Sequence, residues 1–181
     1  MSAEIRILIA DDHPVFRKGL RQIIEEDSAL RVLAEAEDGE AALALIQQLV
    51  PDVALLDVDM PKLDGIEIAR AIVEKRLPVE VVFLTMHKDE DVFNEAMDAG
   101  AKGYVLKDSV VTDIIQSVRA AHERRHFISP QLSSYLLNRN ARAASLIKEK
   151  PGLNSKIGLL TLCLPCCCNH DRCGRQGLRS L

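Results

Sequence analysis

Short apolar segments of strand length alternate with longer segments of helical period along the first two thirds of the chain. Several of the short segments consist almost entirely of Val, Ile and Leu, which is typical of strands buried on both faces. Such strands belong to a parallel sheet that helices cover on each side. The pattern therefore predicts an α/β fold, a doubly wound five-stranded parallel sheet built from five βα units.

The element boundaries follow from the apolar runs and from Pro, Gly and Asp at their ends. The predicted strands are residues 5–10, 31–36, 53–57, 79–85 and 103–106, and the predicted helices are residues 14–26, 39–49, 64–75, 89–99 and 110–124. A weaker helical stretch at residues 131–150 follows Ser129-Pro130. We therefore expect a domain over residues 4–124 and a linker helix over residues 125–150.

The last segment, residues 151–181, has a different composition. It contains one acidic residue, Asp171, and no helical or alternating period that could bury an apolar face. All five cysteines lie in this segment, and together with His170 they raise the question of a zinc site: Cys163, Cys166, Cys167, Cys168 and Cys173. The ligands are too crowded for two separated pairs, so an irregular, disordered tail is the preferred interpretation.

Charge and terminal sequence limit the protein class. Residues 1–124 carry 14 Lys/Arg against 25 Asp/Glu, a net charge of −11, whereas residues 125–150 sum to +4 and residues 151–181 to +3. An acidic domain of this kind is a poor general binder of nucleic acid. The N-terminal sequence does not resemble a signal peptide, and no apolar run is long enough to cross a membrane. We expect a cytoplasmic protein.

Polar residues at the ends of the predicted strands form the candidate site. Asp11 and Asp12 follow the first strand, Asp57 ends the third, and Thr85 and Lys107 lie at the ends of the last two. Three carboxylates at one sheet edge repel one another unless a cation is bound, and Mg²⁺ prefers such oxygen ligands. The alternative is that each Asp only caps a turn. An added ammonium and hydroxyl indicate phosphoryl transfer.

Four ordered motifs carry a family resemblance. They are Ile9-Ala10-Asp11-Asp12-His13-Pro14, Leu55-Leu56-Asp57-Val58-Asp59-Met60-Pro61, Leu84-Thr85 and Gly103-Tyr104-Val105-Leu106-Lys107-Asp108. In this order, with Asp64-Gly65 after the third strand, they resemble the receiver domain of two-component response regulators over about residues 4–124. The resemblance implies a flavodoxin-like sheet and a phosphorelay protein that is not an enzyme beyond self-dephosphorylation.

The same resemblance assigns the central roles. It implies that Asp57 is the phosphoacceptor for a sensor histidine kinase, and that Asp12 is a direct Mg²⁺ ligand. Asp11 would bind the ion through water, and the backbone carbonyl of Asp59 would be a further ligand. Lys107 and Thr85 would hold the phosphoryl oxygens.

Four further residues lie near the predicted site. Tyr104 is either a packing aromatic or the family's switch ring, which turns inward when Thr85 moves toward the phosphoryl group. Asp59 and His87 would overhang the site and influence hydrolysis of the acyl phosphate. His13 could be a metal ligand or a phosphorelay histidine, but a His-Pro step that opens a helix favours a surface turn residue.

The motifs at residues 11–14 and 127–130 resemble the NarL/FixJ (LuxR-type) branch, whose members regulate transcription through a C-terminal helix-turn-helix. That pattern stops after Ser155, which favours a frameshifted or truncated coding sequence over a genuine variant tail. We therefore expect no specific DNA binding by this chain and no membrane partner. Phosphorylation would lead to a homodimer or to a heterodimer with intact relatives.

Two other functions compete with this interpretation. The segment Asp57-Val58-Asp59 is similar to the nucleophile motif of haloacid-dehalogenase-type phosphatases, but that motif has Thr or Val where Pro61 stands. A phosphorylation-independent docking module would be favoured if Asp12, Asp57 or Lys107 were missing, and all three are present.

Overall fold

The computed structural model describes residues 4–86, 88–109 and 111–148, leaving out the side chains of residues 111 and 141–148. Its strands are β1 (Ile5–Ala10), β2 (Leu30–Ala36), β3 (Val53–Asp57), β4 (Glu80–Thr85), β5 (Gly103–Leu106) and β6 (Phe127–Ile128). They form one parallel sheet in the order β2-β1-β3-β4-β5-β6. The flavodoxin-like fold predicted from the sequence is confirmed.

The helices are α1 (Pro14–Glu25), α2 (Gly39–Leu49), α3 (Gly65–Glu74), α4 (Glu90–Asp98), α5 (Val111–His122) and α6 (Ser133–Lys148), with a 3₁₀ turn at Pro130–Leu132. Aspartates begin three of them by accepting backbone N–H groups that the first turn leaves unpaired. Asp38 caps α2 and Asp89 caps α4, while Asp64 and Glu67 form a capping box on α3. These caps fix where each helix starts.

Two hydrophobic layers cover the sheet because successive side chains of a strand point to opposite faces. In β1, Ile7 and Ile9 pack with α1 and α5, whereas Leu8 and Ala10 pack with α2, α3 and α4. All four are fully buried. The continuous apolar runs of the sequence therefore report burial on both faces, as the pattern predicts.

The strand order places a switch point between β1 and β3. From β1 the chain continues to β2, which pairs with one edge of β1, and then to β3, which pairs with the opposite edge of β1. In open parallel sheets, the crevice at the carboxyl ends of the strands on either side of such a point binds ligands. The ends of β1 and β3 are the positions of Asp11 and Asp57.

The sixth strand was not predicted. Phe127 and Ile128 pair with Gly103 and Tyr104 of β5, and the backbone N–H of Phe127 donates to the carbonyl of Lys102. Two residues are too few to show a period of two, so the sequence gives no strand signal there. The sheet consequently extends into the segment that was expected to be linker.

Helix α6 packs against α4 through its first two turns. The Tyr135 ring lies 5.9 Å from the Phe93 ring, and the Tyr135 hydroxyl donates to the Lys88 carbonyl at 2.7 Å. Arg139 forms an ion pair of 2.6 Å with Asp98 at the end of α4. The predicted linker helix is therefore held on the domain surface over residues 133–139.

The chain divides into two units, Met1–Ala143 and Ala144–Leu181. The predicted irregular tail and its cysteines, residues 151–181, lie outside the described residues. Within the part that is described, no helix combines the length and apolar composition that crossing a bilayer requires.

Candidate functional site

Five predicted site residues meet at the carboxyl edge of the sheet. Asp11 and Asp12 directly follow β1, Asp57 and Thr85 end β3 and β4, and Lys107 directly follows β5. Asp11 and Thr85 are fully buried, and Asp57 is 3% exposed. Because parallel strands run in one direction, residues separated by up to 96 positions come together at one edge of the sheet.

Lys107 is the central cation of this edge. Its Nζ lies 2.6 Å from Asp57 Oδ2 and 2.8 Å from Asp11 Oδ2, and its side chain is only 6% exposed. The ammonium also sits 5.1 Å from the centre of the Phe16 ring, a cation–π distance. The backbone N–H of Lys107 donates to the Thr85 carbonyl at 2.8 Å, which fixes the residue to the end of β4.

The protonation behaviour of the pair reflects burial and charge. Burial raises the pKa of Asp57, although the Lys107 ammonium partly opposes that shift. Burial alone would lower the pKa of Lys107, but the Asp11 and Asp57 carboxylates outweigh it and hold that pKa above its ordinary value. Lys107 is therefore a fixed positive charge, while Asp57 is a carboxylate kept in an unfavourable, poorly solvated position.

A group of four side chains has the donor spacing of a cation site. Donor atoms of Asp11, Asp12, His13 and Asp57 all lie within 4.8 Å of one another. Asp12 is the solvent-exposed carboxylate of this group, with a side chain 38% exposed. Its Oδ1 lies 2.7 Å from His13 Nδ1. The carboxylate oxygens match the ligand preference of Mg²⁺, and one ammonium facing three carboxylates leaves the group negatively charged.

The loop between β3 and α3 forms the wall of the site beside Asp57. The backbone N–H of Asp59 lies 3.4 Å from Asp57 Oδ1 and points toward it as a donor. The backbone N–H of Gly65 donates to the Val58 carbonyl at 3.0 Å, which closes the loop. A Cβ on Gly65 would lie 2.2 Å from the Asp57 carbonyl, so only glycine lets α3 start this close to β3.

Tyr104 lies behind the site. Its ring is fully buried and packs edge-on against Phe93, with 5.2 Å between the ring centres. Burial raises the pKa of Tyr104 to about 12, although a polar interaction with Thr85 opposes the shift. The packing role considered from the sequence is thus evident, while the role as a switch ring stays a prediction.

Most of the predicted site residues are close to one another, and one lies outside the described residues. The carboxylate oxygens of Asp11, Asp12 and Asp57 lie within 4.8 Å of one another, and the Lys107 ammonium contacts Asp11. Asp59 is exposed beside this group. His87 is the residue that is not described.

Sequence reasoning missed two neighbours of the acidic group, both on α1. Phe16 faces the Lys107 ammonium, and Arg17 donates to the Asp11 carbonyl and pairs with Glu35 at 3.3 Å. In the sequence, only their position in the first turn after His13-Pro14 indicates that they lie near the site. A cavity of about 580 Å³ opens beside them, lined by His13, Val15, Phe16, Met86, Lys107 and Asp108.

Comparisons with known proteins identify the family of the chain. Residues 7–119, more than half of the chain, match the family described as the response regulator receiver domain. The probable transcriptional regulatory protein NarL of Mycobacterium tuberculosis is 38% identical over 129 residues, which are 71% of this chain and 60% of that protein. The chain spans about two thirds or less of the length of the curated relatives that it matches.

Solved structures of response regulators have the same fold. A LuxR-family two-component response regulator from Aurantimonas sp. SI85-9A1 is 32% identical with a TM-score of 0.72, covering 77% of this chain and 99% of that one. The isolated receiver domain of RcsB from Salmonella enterica serovar Typhimurium, solved with the phosphomimetic BeF₃⁻, is 27% identical with a TM-score of 0.67. It covers 73% of this chain and 98% of that domain.

The match over residues 7–119, the identity to NarL and the fold shared with a LuxR-family regulator lead to one assignment. The chain belongs to the response regulator receiver domain family of two-component systems, in its NarL (LuxR-type) branch.

Proposed function

We propose that this chain is a phosphorylation-controlled regulator in which Asp57 accepts a phosphoryl group from the phosphohistidine of a sensor kinase. One observation supports this most directly. The ammonium of Lys107 contacts Asp57 and Asp11 at a nearly buried edge, 2.6 and 2.8 Å away. An ammonium held there is positioned for negative charge that a phosphoryl group brings.

The chemistry that follows from these residues is a single transfer. A carboxylate oxygen of Asp57 attacks phosphorus, and the phosphorus–nitrogen bond of the donor histidine breaks as the acyl phosphate forms. The histidine nitrogen leaves with the electron pair. Lys107 and the Thr85 hydroxyl hold phosphoryl oxygens, and Lys107 exchanges part of its contact with Asp57 for contact with the new group. Burial raises the pKa of Asp57 by disfavouring the charged carboxylate, and a nearby cation favours that charged form.

A divalent cation fits the donor set. We assign Asp12 and Asp57 as direct ligands of Mg²⁺, Asp11 as a ligand through water, and the Asp59 carbonyl as the remaining protein ligand. Three carboxylates within 4.8 Å, compensated by one ammonium, support this assignment. When bound, Mg²⁺ supplies positive charge that neutralises the phosphoryl oxygens. The exposed side of Asp12 leaves room for the waters that Mg²⁺ keeps.

The chain then acts as a regulator that is modified once and reverts by hydrolysis of the acyl phosphate, with Asp59 and His87 influencing that hydrolysis. Its partners are a sensor histidine kinase and, after phosphorylation, a second receiver, either identical or from an intact relative. The phosphatase alternative lacks the Thr or Val that its motif has where Pro61 stands. A docking module that works without phosphorylation would not need the ammonium between Asp11 and Asp57.

The test is incubation with acetyl phosphate and Mg²⁺, followed by intact mass measurement. We expect one added phosphoryl group that is labile in base and is lost from Asp57→Asn. The matched control is Asp52→Asn, which changes an aspartate at the opposite end of β3 that pairs with Arg6 at 2.9 Å. Full labelling of Asp57→Asn, or no labelling of the wild-type chain by acetyl phosphate, would contradict the proposal.

Binding of a specific DNA site is not part of the proposed function. Reading a base sequence needs a rigid element that presents side chains in a groove, and residues 4–124 are strongly acidic. A footprint of this chain on a defined sequence at physiological salt would overturn this part of the proposal.

A further inference from the structure

The loop between β3 and α3, residues 58–64, is held from outside by the first residues of α2. The two segments are about twenty positions apart in the sequence and belong to different βα units. Three contacts join them, and each is of a different physical kind. Together they hold the loop that carries the Asp59 carbonyl.

The first contact is an ion pair. Lys62 Nζ lies 2.7 Å from Asp38 Oδ2, and the Asp38 side chain is 12% exposed. Lys62 has a φ of 71°, in the left-handed region that residues other than glycine rarely adopt. A backbone conformation of this kind persists when surrounding contacts hold it. Asp38 is itself fixed, because it caps α2 by accepting the Ala41 N–H at 2.9 Å.

The second and third contacts involve Gly39. Its backbone N–H donates to the Pro61 carbonyl at 3.2 Å. A Cβ built on Gly39 would lie 1.8 Å from the Leu63 carbonyl oxygen, where real Cβ atoms essentially never come closer than 3.0 Å. A side chain at this position must push the loop and the helix apart by more than 1 Å.

Val58 and Met60 of the loop are buried in the core, but residues 61–64 are exposed or half-buried, so this part of the loop is expected to yield. Helix α2 is buried along its length through Ala42 and Ile46, both fully buried in the core. The loop has no regular structure between Val58 and Asp64. A displaced Leu63 carbonyl therefore shifts the backbone that leads back over four residues to Asp59.

We propose that Asp38 and Gly39 are positioning residues for the Mg²⁺ site, setting the metal affinity through the β3–α3 loop. This inference rests on the proposed function, because it takes the Asp59 carbonyl as a ligand. Groups that orient metal ligands from outside typically change the affinity tenfold or more when they are altered. Sequence reasoning treated Gly39 only as the start of a helix.

The test compares Gly39→Ala with Gly19→Ala by calorimetric titration with Mg²⁺ alone, and by thermal unfolding in EDTA. Gly19 is a glycine of α1 whose added Cβ would meet nothing within 4 Å. We expect Gly39→Ala to bind Mg²⁺ about tenfold more weakly than wild type, and Gly19→Ala to match wild type. A purely structural role of Gly39 would lower the unfolding temperature and leave the dissociation constant unchanged, which would overturn the inference.

A second pair keeps the inference testable if Gly39→Ala does not fold. Lys62→Met removes the ion pair from an exposed side chain, and Lys75→Met removes the same charge at the far end of α3. We expect weaker Mg²⁺ binding for Lys62→Met alone, and equal affinities for both variants would overturn the inference. If wild type binds no Mg²⁺, the metal assignment and this inference both fail. If wild type binds Mg²⁺ and Gly39→Ala and Lys62→Met bind it equally well, only this inference fails.

Discussion

Removing the Lys107 ammonium should destabilise the fold, because it leaves Asp11 and Asp57 facing each other without a cation. The two carboxylates are 0% and 4% exposed, and their donor atoms lie within 4.8 Å of each other. With an effective dielectric constant of about 20, two unit charges at this separation repel by about 3 kcal/mol. Removal of one partner of a buried ion pair typically costs about 3–5 kcal/mol. Both routes give the same expectation for Lys107→Met.

The assay is urea unfolding in EDTA at about pH 8, with Lys88→Met as the control. Lys88 pairs with Asp108 at 3.0 Å, but both side chains are about half exposed, and such pairs contribute about 1 kcal/mol or less. The loss for Lys107→Met should shrink as the pH falls, since one carboxyl then takes up a proton. Added Mg²⁺ should also restore part of the stability that Lys107→Met loses. Equal stability of Lys107→Met and Lys88→Met in EDTA would refute the reasoning.

Three further outcomes are expected. Asp57→Asn should unfold at a higher temperature than wild type at neutral pH in EDTA. Because the pKa of Asp57 is raised in the folded state, ionisation of this carboxyl lowers the stability of wild type as the pH rises through the folded pKa. The higher stability of Asp57→Asn should therefore disappear below the unfolded pKa. Gly65→Ala should lose about 1–3 kcal/mol in urea unfolding and take up phosphoryl from acetyl phosphate more slowly than wild type, since its Cβ would lie 2.2 Å from the Asp57 carbonyl. Tyr135→Ala should lose about 1–2 kcal/mol in urea unfolding, because its contacts with Phe93 and Lys88 are removed. The chain has two tyrosines and no tryptophan, so the emission of the remaining Tyr104 can follow that unfolding.

The sequence was sufficient to predict five of the six strands of the described sheet and its acidic edge. Continuous apolar runs identify parallel strands, and parallel strands bring their last residues to one edge, so Asp11, Asp57 and Lys107 could be grouped without coordinates. The spacing cannot reveal which oxygen the ammonium contacts. The paired contacts of Lys107 with both carboxylates depend on side-chain directions that tertiary packing decides.

Other features had no local signal. Phe16 is one apolar residue on an amphipathic helix, and nothing in its neighbourhood distinguishes a residue that faces a cation from one that fills the core. The strand at Phe127–Ile128 exists because β5 offers a free edge, a property of the sheet and not of those two residues. The ion pair between Lys62 and Asp38 likewise joins two loops whose proximity follows only from the folded topology.

The packing of α6 on α4 also makes the linker a tethered competitor for that face. A segment joined to its own binding surface by a short connection acts at an effective concentration in about the millimolar range. Any second molecule that docks over Phe93 and Asp98 must first displace Tyr135 and Arg139. Association through α4 should therefore be weaker than the contact area alone suggests, and a chain shortened before Tyr135 should associate there more readily.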